Sequence, residues 1–323
     1  PLAVGGAADR RGVIATCNYE ARAYGVRSAM STAMALKKCP HLTLVHGRMD
    51  VYKEVSSQIF DIYRRYTNLI EPLSLDEAYM DVSDSLACQG SATRMAEAIR
   101  EAVKREVGLT VSIGVAPNKF LAKIASDWNK PDGLKVILPD EIDAFVLDLS
   151  VTKLHGVGQR TAERLHAQGL YTCGDVRQQS LRSLLERNGS FGQRLWDLAH
   201  GRDERSVKVT RQRKSVSTET TFVQDLPGLE QCQARLPELI EDLENRFSRL
   251  NGYCIEGAVV KVKFNDFQQT TAEHSHTAPN ASVFNALLEE AWYRRSLPVR
   301  LLGVGYRLSL VPQQDGPSQL PLW

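Results

Sequence analysis

The pattern of apolar residues changes twice along this chain, and that change limits the folds the chain can adopt. Residues 1–139 alternate short strand-like runs with amphipathic helical segments, which predicts a sheet covered by helices on one side. Residues 140–205 are largely helical in pattern, with short glycine-containing turns, and residues 206–214 are polar and basic, as in a linker. Residues 215–311 return to strands and helices. Because 323 residues exceed one ordinary core, the sequence predicts an α+β multidomain protein.

The helical and strand-like periods place individual elements along the chain. Helices are predicted at residues 19–24, 31–38, 50–68, 91–107, 118–129, 229–250 and 281–294. Strands are predicted at residues 13–17, 70–75, 78–82, 110–115, 216–223, 254–264, 268–275 and 300–310.

Charge is distributed unevenly, although the whole chain carries a net charge of only +2. Residues 150–214 hold 13 Lys/Arg against 6 Asp/Glu, a net charge of +7. Such a segment is the electrostatic footprint expected for a polyanion, with a solvated basic face as the alternative that charge alone leaves open.

Composition argues against a membrane or secreted protein. No apolar run approaches the roughly 20 residues needed to span a bilayer, and no secretory signal is visible. The six cysteines form no C-x-x-C pair, which is typical of reduced thiols. We therefore expect a cytoplasmic protein with no membrane partner.

Two adjacent carboxylates, Asp76 and Glu77, stand between two short strand-like runs. Mg²⁺ prefers hard oxygen ligands, usually one or two carboxylates plus phosphates and water. Phosphoryl transfer needs charge neutralisation at the attacking and leaving oxygens, which two such ions can supply. Because the flanking runs are apolar, we expect poorly solvated carboxylates that need a cation. An exposed turn is the alternative, and both side chains reach one site only if the strand ends or kinks there.

A possible phosphate-binding segment follows the first predicted strand. Tyr19-Glu20-Ala21-Arg22 opens a helix, where backbone N–H groups favour anions, and Arg22 can hold a phosphate with two hydrogen bonds. Thr16, just upstream, could add a hydroxyl group. The alternative is a surface arginine beside a packed tyrosine.

Three lysines bracket the predicted helix at residues 118–129. Lys119 and Lys123 are four residues apart and share one helix face. We expect Lys119 to lie on a solvated face. Lys130 is fixed by the following Pro131 and is the better candidate for a phosphate contact.

The strongest nucleic-acid signal is the run from Leu154 to Leu165, which predicts a helix, a Gly-Val-Gly turn and a second helix. This is the pattern of a helix-hairpin-helix. Gly156 and Gly158 let the backbone approach a DNA phosphate, and the second helix presents its N–H groups. The motif lies within the +7 segment, so two independent signals coincide.

The chain ends in an apolar cluster inside a Pro/Gln-rich stretch. Gln319, Leu320, Leu322 and Trp323 have the character of a short docking peptide with leucine and tryptophan anchors. A tail without function is the alternative.

Several long motifs occur in one order along residues 1 to about 311. They are Tyr-Glu-Ala-Arg (19–22), Gly-Val-Arg-Ser-Ala-Met (25–30), Ser-Leu-Asp-Glu-Ala-Tyr (74–79), Gly-Val-Ala-Pro-Asn-Lys (114–119), Lys-Pro-Asp-Gly (130–133), Gly-Val-Gly (156–158) and Phe-Asn-Asp-Phe-Gln-Gln-Thr-Thr (264–271). The series resembles the Y-family translesion DNA polymerases, and the bacterial DNA polymerase IV group in particular.

The resemblance implies a right-hand polymerase fold. Its parts would be small fingers, a palm of antiparallel sheet and helices, a helical thumb with the helix-hairpin-helix, and an α+β little finger. They would be bounded as follows: fingers 1–50, palm 51–139, thumb 140–205, basic linker 206–214, little finger 215–311 and a flexible tail with a clamp-binding motif at 312–323.

The resemblance also implies an error-prone, template-dependent DNA polymerase that adds deoxynucleotides to a primer 3′-end with two Mg²⁺ ions, in translesion synthesis during the DNA damage response. Asp76 matches a carboxylate that bridges the two ions, and Glu77 matches the catalytic residue, which also helps to hold metal. Contacts to the triphosphate match Thr16, Tyr19, Arg22 and Lys130.

Three partners follow from the same resemblance: primer–template DNA, deoxynucleoside triphosphates and the sliding clamp. We expect duplex phosphates to contact Gly156, Gly158, Arg160, Thr161, Arg213 and Lys214. We expect the clamp to bind Gln319, Leu320, Leu322 and Trp323, and the protein to be a monomer.

The chain departs from the family pattern at its start. The family begins with a palm strand that carries a further magnesium-binding Asp, followed by an aromatic steric gate, and this chain opens on Pro1, after that segment. Judged against the family, roughly 25–30 residues precede Pro1, and we expect the chain as given to be inactive or severely impaired. A non-catalytic, polymerase-like adaptor that acts through the clamp is the alternative to an enzyme.

Overall fold

The computed structural model describes residues 1–311, which divide into two compact units. One unit combines Pro1–Gly47 with the described residues from Gln212 onward, and the other is Arg48–Arg211. The elements are described below in chain order, each within its own unit.

Residues 1–47 form a small sheet with two short helices. The elements are β1 (Leu2–Gly5), β2 (Ile14–Cys17), α1 (Tyr19–Ala23), α2 (Thr32–Lys38) and β3 (Thr43–Val45). The strand order is β2-β1-β3, with β1 antiparallel to β2 and parallel to β3. The side chains of Asn18 and Ser31 cap the N-termini of α1 and α2, which explains why these helices begin where they do.

Residues 48–136 contain two long helices and two separate strand pairs. The elements are α3 (Met49–Arg64), β4 (Ile70–Pro72), β5 (Ala78–Met80), α4 (Ala92–Val107), β6 (Ile113–Val115), α5 (Lys119–Trp128) and β7 (Leu134–Val136). Strands β4 and β5 form an antiparallel hairpin, and β6 pairs in parallel with β7. In residues 48–136 the expected single sheet is therefore replaced by two two-stranded sheets.

Residues 140–205 are helical, as predicted. The helices are α6 (Ile142–Leu147), α7 (Gln159–His166), α8 (Cys173–Arg177), α9 (Leu181–Asn188) and α10 (Ser190–Ala199). Leu165, Leu184 and Leu195 are buried in one core that also receives Phe120 and Leu121 from α5. Helix α5 is therefore shared between this helical region and the strand pairs before it.

Residues 212–311 form a four-stranded antiparallel sheet, in the order β10-β9-β11-β8, with helices packed on one face. The elements are β8 (Ser215–Leu226), α11 (Leu229–Gln233), α12 (Leu236–Phe247), β9 (Tyr253–Phe264), β10 (Gln269–Ser275), α13 (Ala281–Tyr293) and β11 (Val299–Leu310). The helix predicted at 229–250 is divided into α11 and α12. Pro237 lies in the first turn of α12, where a missing N–H group costs no hydrogen bond. Its ring would clash with the preceding turn of a continuous helix, so α11 and α12 are separate.

One ion pair joins the two sequence segments of the first unit. A guanidinium nitrogen of Arg11 lies 2.5 Å from Oδ1 of Asp225, and both side chains are about one quarter exposed. The pair connects the chain just before β2 with strand β8.

Among residues 1–311, no helix is both long enough and apolar enough to cross a membrane.

Candidate catalytic hairpin and nucleic-acid surface

Asp76 and Glu77 lie in the exposed loop that joins β4 to β5. The backbone N–H groups of Leu73 and Ser74 both donate to the carbonyl oxygen of Glu77, which closes the loop. Both carboxylates precede the first residue of β5, so the alternation of a regular strand does not send them to opposite faces. The expectation that these carboxylates are poorly solvated was wrong, because the loop projects beyond the strands.

Two serines fix the loop. The Ser74 hydroxyl donates to Oδ1 of Asp76 at 2.6 Å, and the Asp76 N–H donates back to the same hydroxyl at 3.3 Å. Ser56, on α3, donates its hydroxyl to the carbonyl oxygen of Leu75 at 2.5 Å. The main chain beside the carboxylates is therefore held from a neighbouring helix.

The Glu77 carboxylate already has a cationic partner. Lys123, on α5, places its ammonium group 2.8 Å from Oε2 of Glu77. The Lys123 side chain is 30% exposed and that of Glu77 is 48% exposed, so water reaches both partners. Such an exposed pair is weak, and a cation with several oxygen ligands can replace it.

Lys119 is not on a solvated face, and that expectation was wrong. Only 8% of the residue is exposed, and its ammonium group lies 2.5 Å from Oε2 of Glu71, in the middle of β4. The same ammonium group lies 4.9 Å from the centre of the Tyr79 ring and 3.1 Å from the Ser206 carbonyl oxygen. The charge is buried because a carboxylate 48 residues earlier in the chain pairs with it.

Glu71 is held in its ionised form. Burial alone would raise the pKa of its carboxyl group, but hydrogen bonds from Lys119 and from the backbone N–H of Lys208 bring that pKa below its ordinary value. The Lys208 N–H lies 2.7 Å from Oε2.

Lys130 lies two residues after the end of α5 and precedes Pro131 across a cis peptide bond. Its ammonium group is 2.6 Å from Oδ1 of Asp127, and its side chain is 46% exposed. It belongs to the unit that holds Asp76 and Glu77.

Thr16, Tyr19 and Arg22 belong to the other unit. Thr16 is exposed on β2, and Tyr19 is 54% exposed at the start of α1. The Arg22 guanidinium donates to the Cys17 carbonyl oxygen at 3.2 Å and lies 5.9 Å from the centre of the Tyr19 ring. Helix α1 has only five residues and its N-terminus is capped by Asn18, so the side chains carry more of any anion contact than the backbone N–H groups do.

The predicted helix-hairpin-helix is a short 3₁₀ turn at Val151–Lys153, a glycine turn, and α7. Gly156 adopts a φ of +96°, a conformation that favours glycine, and nothing lies within 4 Å of where its Cβ would be. Gly158 is the N-cap of α7, with equally open surroundings. Arg160 is exposed and Thr161 is half-buried on the first turn of α7. This backbone surface is open to a phosphate.

Arg213 and Lys214 are exposed beside the sheet of residues 212–311. The Arg213 N–H donates to the Tyr253 hydroxyl at 3.0 Å, and the Lys214 carbonyl oxygen accepts the Leu308 N–H at 2.9 Å. Their backbone is therefore fixed while their charges face water. The predicted clamp contacts, Gln319, Leu320, Leu322 and Trp323, lie outside the described residues.

The loop carboxylates suit a hard divalent cation, although residues 1–311 contain no cluster of three or more His, Cys, Asp or Glu side chains able to hold one. Asp76 and Glu77 supply oxygen ligands on consecutive residues, which is the number of carboxylates Mg²⁺ usually takes beside substrate phosphates. The donor set fits Mg²⁺ and lacks the nitrogen and sulphur ligands that zinc prefers.

Sequence reasoning missed Glu71 and Ser56, and it gave Lys123 no partner. The spacing of Lys119 and Lys123 was a usable signal, since residues four apart on a helix face the same neighbour. The spacing alone does not identify their partners, Glu71 and Glu77.

Three family models match most of the chain. Residues 1–127 match the impB/mucB/samB family, and residues 213–322 match the C-terminal domain of the same family. Residues 152–203, which include the glycine turn and α7, match a model described as the DNA polymerase-iota thumb domain.

Two curated relatives show the same similarity over almost the whole chain. DNA polymerase IV of Ectopseudomonas mendocina is 58% identical over 309 residues, covering 95% of this chain and 88% of that protein. DNA polymerase IV of Pseudomonas syringae pv. tomato is 56% identical over 324 residues, covering all of this chain and 91% of that protein.

Solved structures agree with these relatives. The chain is similar to the Y-family DNA polymerase chimera Dbh-Dpo4(243-245)-Dbh, with a TM-score of 0.86, 27% identity, and coverage of 96% of this chain and 92% of that chain. The insertion ternary complex of Dbh DNA polymerase aligns over the same shares, with 27% identity and a TM-score of 0.66. The chain therefore belongs to the impB/mucB/samB family and is a DNA-directed DNA polymerase of the Y family.

Proposed function

We propose that the protein to which this chain belongs carries out template-directed translesion DNA synthesis, adding deoxynucleotides to a primer 3′-end by two-metal-ion nucleotidyl transfer. One observation carries the proposal: the two consecutive carboxylates of the β4–β5 loop are exposed, Ser56 holds the main chain beside them, and Ser74 orients the Asp76 carboxylate. Family membership supplies the reaction class.

Asp76 and Glu77 would hold two Mg²⁺ ions, which would neutralise charge at the attacking and leaving oxygens. Glu77 is the proposed catalytic residue. Its carboxylate pairs with Lys123 on α5, an exposed pair that Mg²⁺ would replace, and Ser74 orients the carboxylate of Asp76. The Asp76 carboxylate is thus placed before a substrate arrives, which lowers the cost of organising the site.

The triphosphate of the incoming nucleotide is proposed to contact Thr16, Tyr19, Arg22 and Lys130. Arg22 is the main anion contact, because a guanidinium matches phosphate oxygens in pairs. Tyr19 supports it with a ring 5.9 Å from the guanidinium carbon. Duplex phosphates are proposed to contact the backbone at Gly156 and Gly158, together with Arg160, Thr161, Arg213 and Lys214.

The remaining proposals rest on resemblance and composition. The C-terminal residues Gln319–Trp323 would dock on the sliding clamp, and the protein would act as a monomer. All six cysteines are unpaired, which suits the reducing cytoplasm. The domain boundaries are proposed as fingers 1–50, palm 51–139, thumb 140–205, linker 206–214 and little finger 215–311.

Primer extension tests this function. The protein encoded by the complete reading frame should extend a primed template in the presence of Mg²⁺ and deoxynucleotides, past an abasic site as well as past undamaged bases. Asp76→Ala should abolish extension, whereas Asp84→Ala, an exposed aspartate of the same unit, should not. Absence of extension by the unaltered protein, with clamp-dependent DNA binding retained, would instead identify a non-catalytic adaptor.

A further inference from the structure

Helix α5 contacts the catalytic hairpin at two levels. Lys119 reaches Glu71 on β4, and Lys123, one helical turn further along, reaches Glu77 in the loop. The two lysines are four residues apart and therefore lie on one face of the helix. The first contact is in the middle of the strand pair, and the second is in the loop at the tip of the hairpin.

The two contacts differ in how much water reaches them. At the tip, the side chains of Lys123 and Glu77 are 30% and 48% exposed. In the strand pair, the side chains of Lys119 and Glu71 are only 9% and 19% exposed. A buried pair persists only if its remaining hydrogen-bonding groups also find partners. The Lys119–Glu71 ion pair satisfies this condition, and the Lys123–Glu77 ion pair is free to exchange with solvent ions.

The other hydrogen-bonding partners of Lys119 and Glu71 come from the segment just after the helical region, at residues 206–208. Lys119 donates to the Ser206 carbonyl oxygen at 3.1 Å, and Glu71 accepts the Lys208 N–H at 2.7 Å. Just upstream, the Asp203 side chain is only 5% exposed and accepts two hydrogen bonds of 2.7 Å from Arg205. The start of the predicted linker is therefore attached to the hairpin.

The hairpin needs such support because it is very short. Strands β4 and β5 have three residues each, and an isolated two-stranded hairpin is at best marginally stable in water. Glu71 lies opposite Tyr79 in the register, and the Lys119 ammonium group lies 4.9 Å from the Tyr79 ring. Lys119 therefore contacts both strands.

We propose that Lys119 and Glu71 are positioning residues for the polymerase reaction. They set the place of the loop that carries Asp76 and Glu77, and they anchor the chain at Ser206–Lys208 to that loop. The first residues of the proposed linker would thus be held to the hairpin. The kinetic part of this proposal rests on the proposed function, and the anchoring part does not.

The decisive variants are Glu71→Gln and the double variant Lys119→Met/Glu71→Leu. The double variant replaces a buried ion pair with apolar groups of similar size, a change that often preserves stability, while it removes both anchoring hydrogen bonds. Glu106→Gln is the matched control, because Glu106 forms an exposed ion pair with Arg65 in the same unit. Folding of each variant is verified by circular dichroism and thermal unfolding.

Two measurements separate anchoring from catalysis. Backbone amide exchange at Lys208, read by mass spectrometry or NMR without DNA, should become faster in the double variant, which removes the acceptor. It should change less in Glu71→Gln, whose amide oxygen can still accept the Lys208 N–H, and stay unchanged in the control. Single-turnover insertion should fall by roughly 10- to 100-fold, the size expected from misplacing reacting groups by about 1 Å, with primer–template affinity within a factor of about two. Lys119→Arg should keep a higher insertion rate than the double variant, because it retains the positive charge.

Each result bears on the proposal. Unchanged exchange at Lys208 in the well-folded double variant would overturn the anchor. Faster exchange with an unchanged insertion rate would overturn the positioning role. If the unaltered protein encoded by the complete reading frame does not insert nucleotides, the proposed function fails, and the exchange measurement still decides whether the anchor exists.

Discussion

At the scale of single residues, Lys119 and Lys123 show how one helix face can hold two different kinds of lysine. Lys123 remains in contact with water beside Glu77, whereas Lys119 is almost covered. Burying an ammonium group is costly unless a carboxylate and further acceptors surround it. Glu71 and the Ser206 carbonyl oxygen supply that surrounding.

Glu71 gives a prediction about acid stability. Because its folded-state pKa lies below the ordinary 4.5, the carboxylate stabilises the fold at neutral pH and loses that contribution as pH falls through 4.5 and below. Urea unfolding of wild type and Glu71→Gln should therefore show a difference in free energy of unfolding that is largest at neutral pH and shrinks in acid. A difference that stays constant across this range would contradict the assignment.

At the scale of secondary structure, closely packed helices set a limit on side-chain size. Gly192, on α10, lies against α9, so that a Cβ atom there would be 2.3 Å from the Leu184 carbonyl oxygen. Gly192→Ala should lower the free energy of unfolding by about 3 kcal/mol or more, because backbone atoms must move. Thermal or urea unfolding measures this.

Gly169→Ala is the control for that substitution. Gly169 has a φ of +77° but open surroundings, so alanine should cost only about 1–2 kcal/mol there. Equal losses at Gly169 and Gly192 would show that the contact between α9 and α10 is looser than described.

The long helices α4 and α13 were predicted more accurately than the short strands, of which β2, β4, β5 and β6 fall within predicted runs. Helices α4 and α13 match the predicted ranges within a residue, because many apolar positions define each period. Strands β1, β3 and β7 were missed, since three or four residues carry too little periodicity to be distinguished from a loop. The predicted strand at 70–75 ends at Pro72, where the loop begins.

The candidate site divides in the same way. The place of Asp76 and Glu77 between two short strands was predicted correctly, and their role in the reaction stays a prediction. Glu71 was missed, because its role depends on Lys119, 48 residues away, and on Lys208, 137 residues away. Sequence spacing carries no information about partners that only the folded chain brings together.

At the scale of the whole molecule, the net charge of +7 in residues 150–214 predicts how DNA binding responds to salt. Neutralising phosphates releases counterions, so primer–template affinity should fall by about 10³-fold or more between roughly 50 and 200 mM salt if six or more phosphates are contacted. Fluorescence anisotropy across a salt series measures the slope. A flat response would contradict a phosphate-based interface.

Individual contacts can be assigned from the same slope. Arg160→Gln and Lys214→Gln should each reduce its magnitude by about one. Arg182→Gln should leave it unchanged, because Arg182 lies in the same basic segment but pairs with Glu186 on α9.

The C-terminal peptide gives a separate prediction about processivity. Removal of Gln319–Trp323 should leave distributive primer extension unchanged and abolish stimulation by the sliding clamp, because the leucine and tryptophan anchors would be lost. Leu322→Ala/Trp323→Ala should reproduce the deletion. Full stimulation of the shortened protein would refute the docking role.

The ion pair between Arg11 and Asp225 has a consequence for the order of events during synthesis. The ribosome makes Arg11 more than two hundred residues before Asp225, yet both belong to one compact unit. Residues 1–47 have a small core of their own and can therefore collapse early, but their link to β8 must wait until the later segment has emerged. Residues 48–211 are complete well before that moment. The unit that contains Arg11 and Asp225 is thus completed after residues 48–211 have been made.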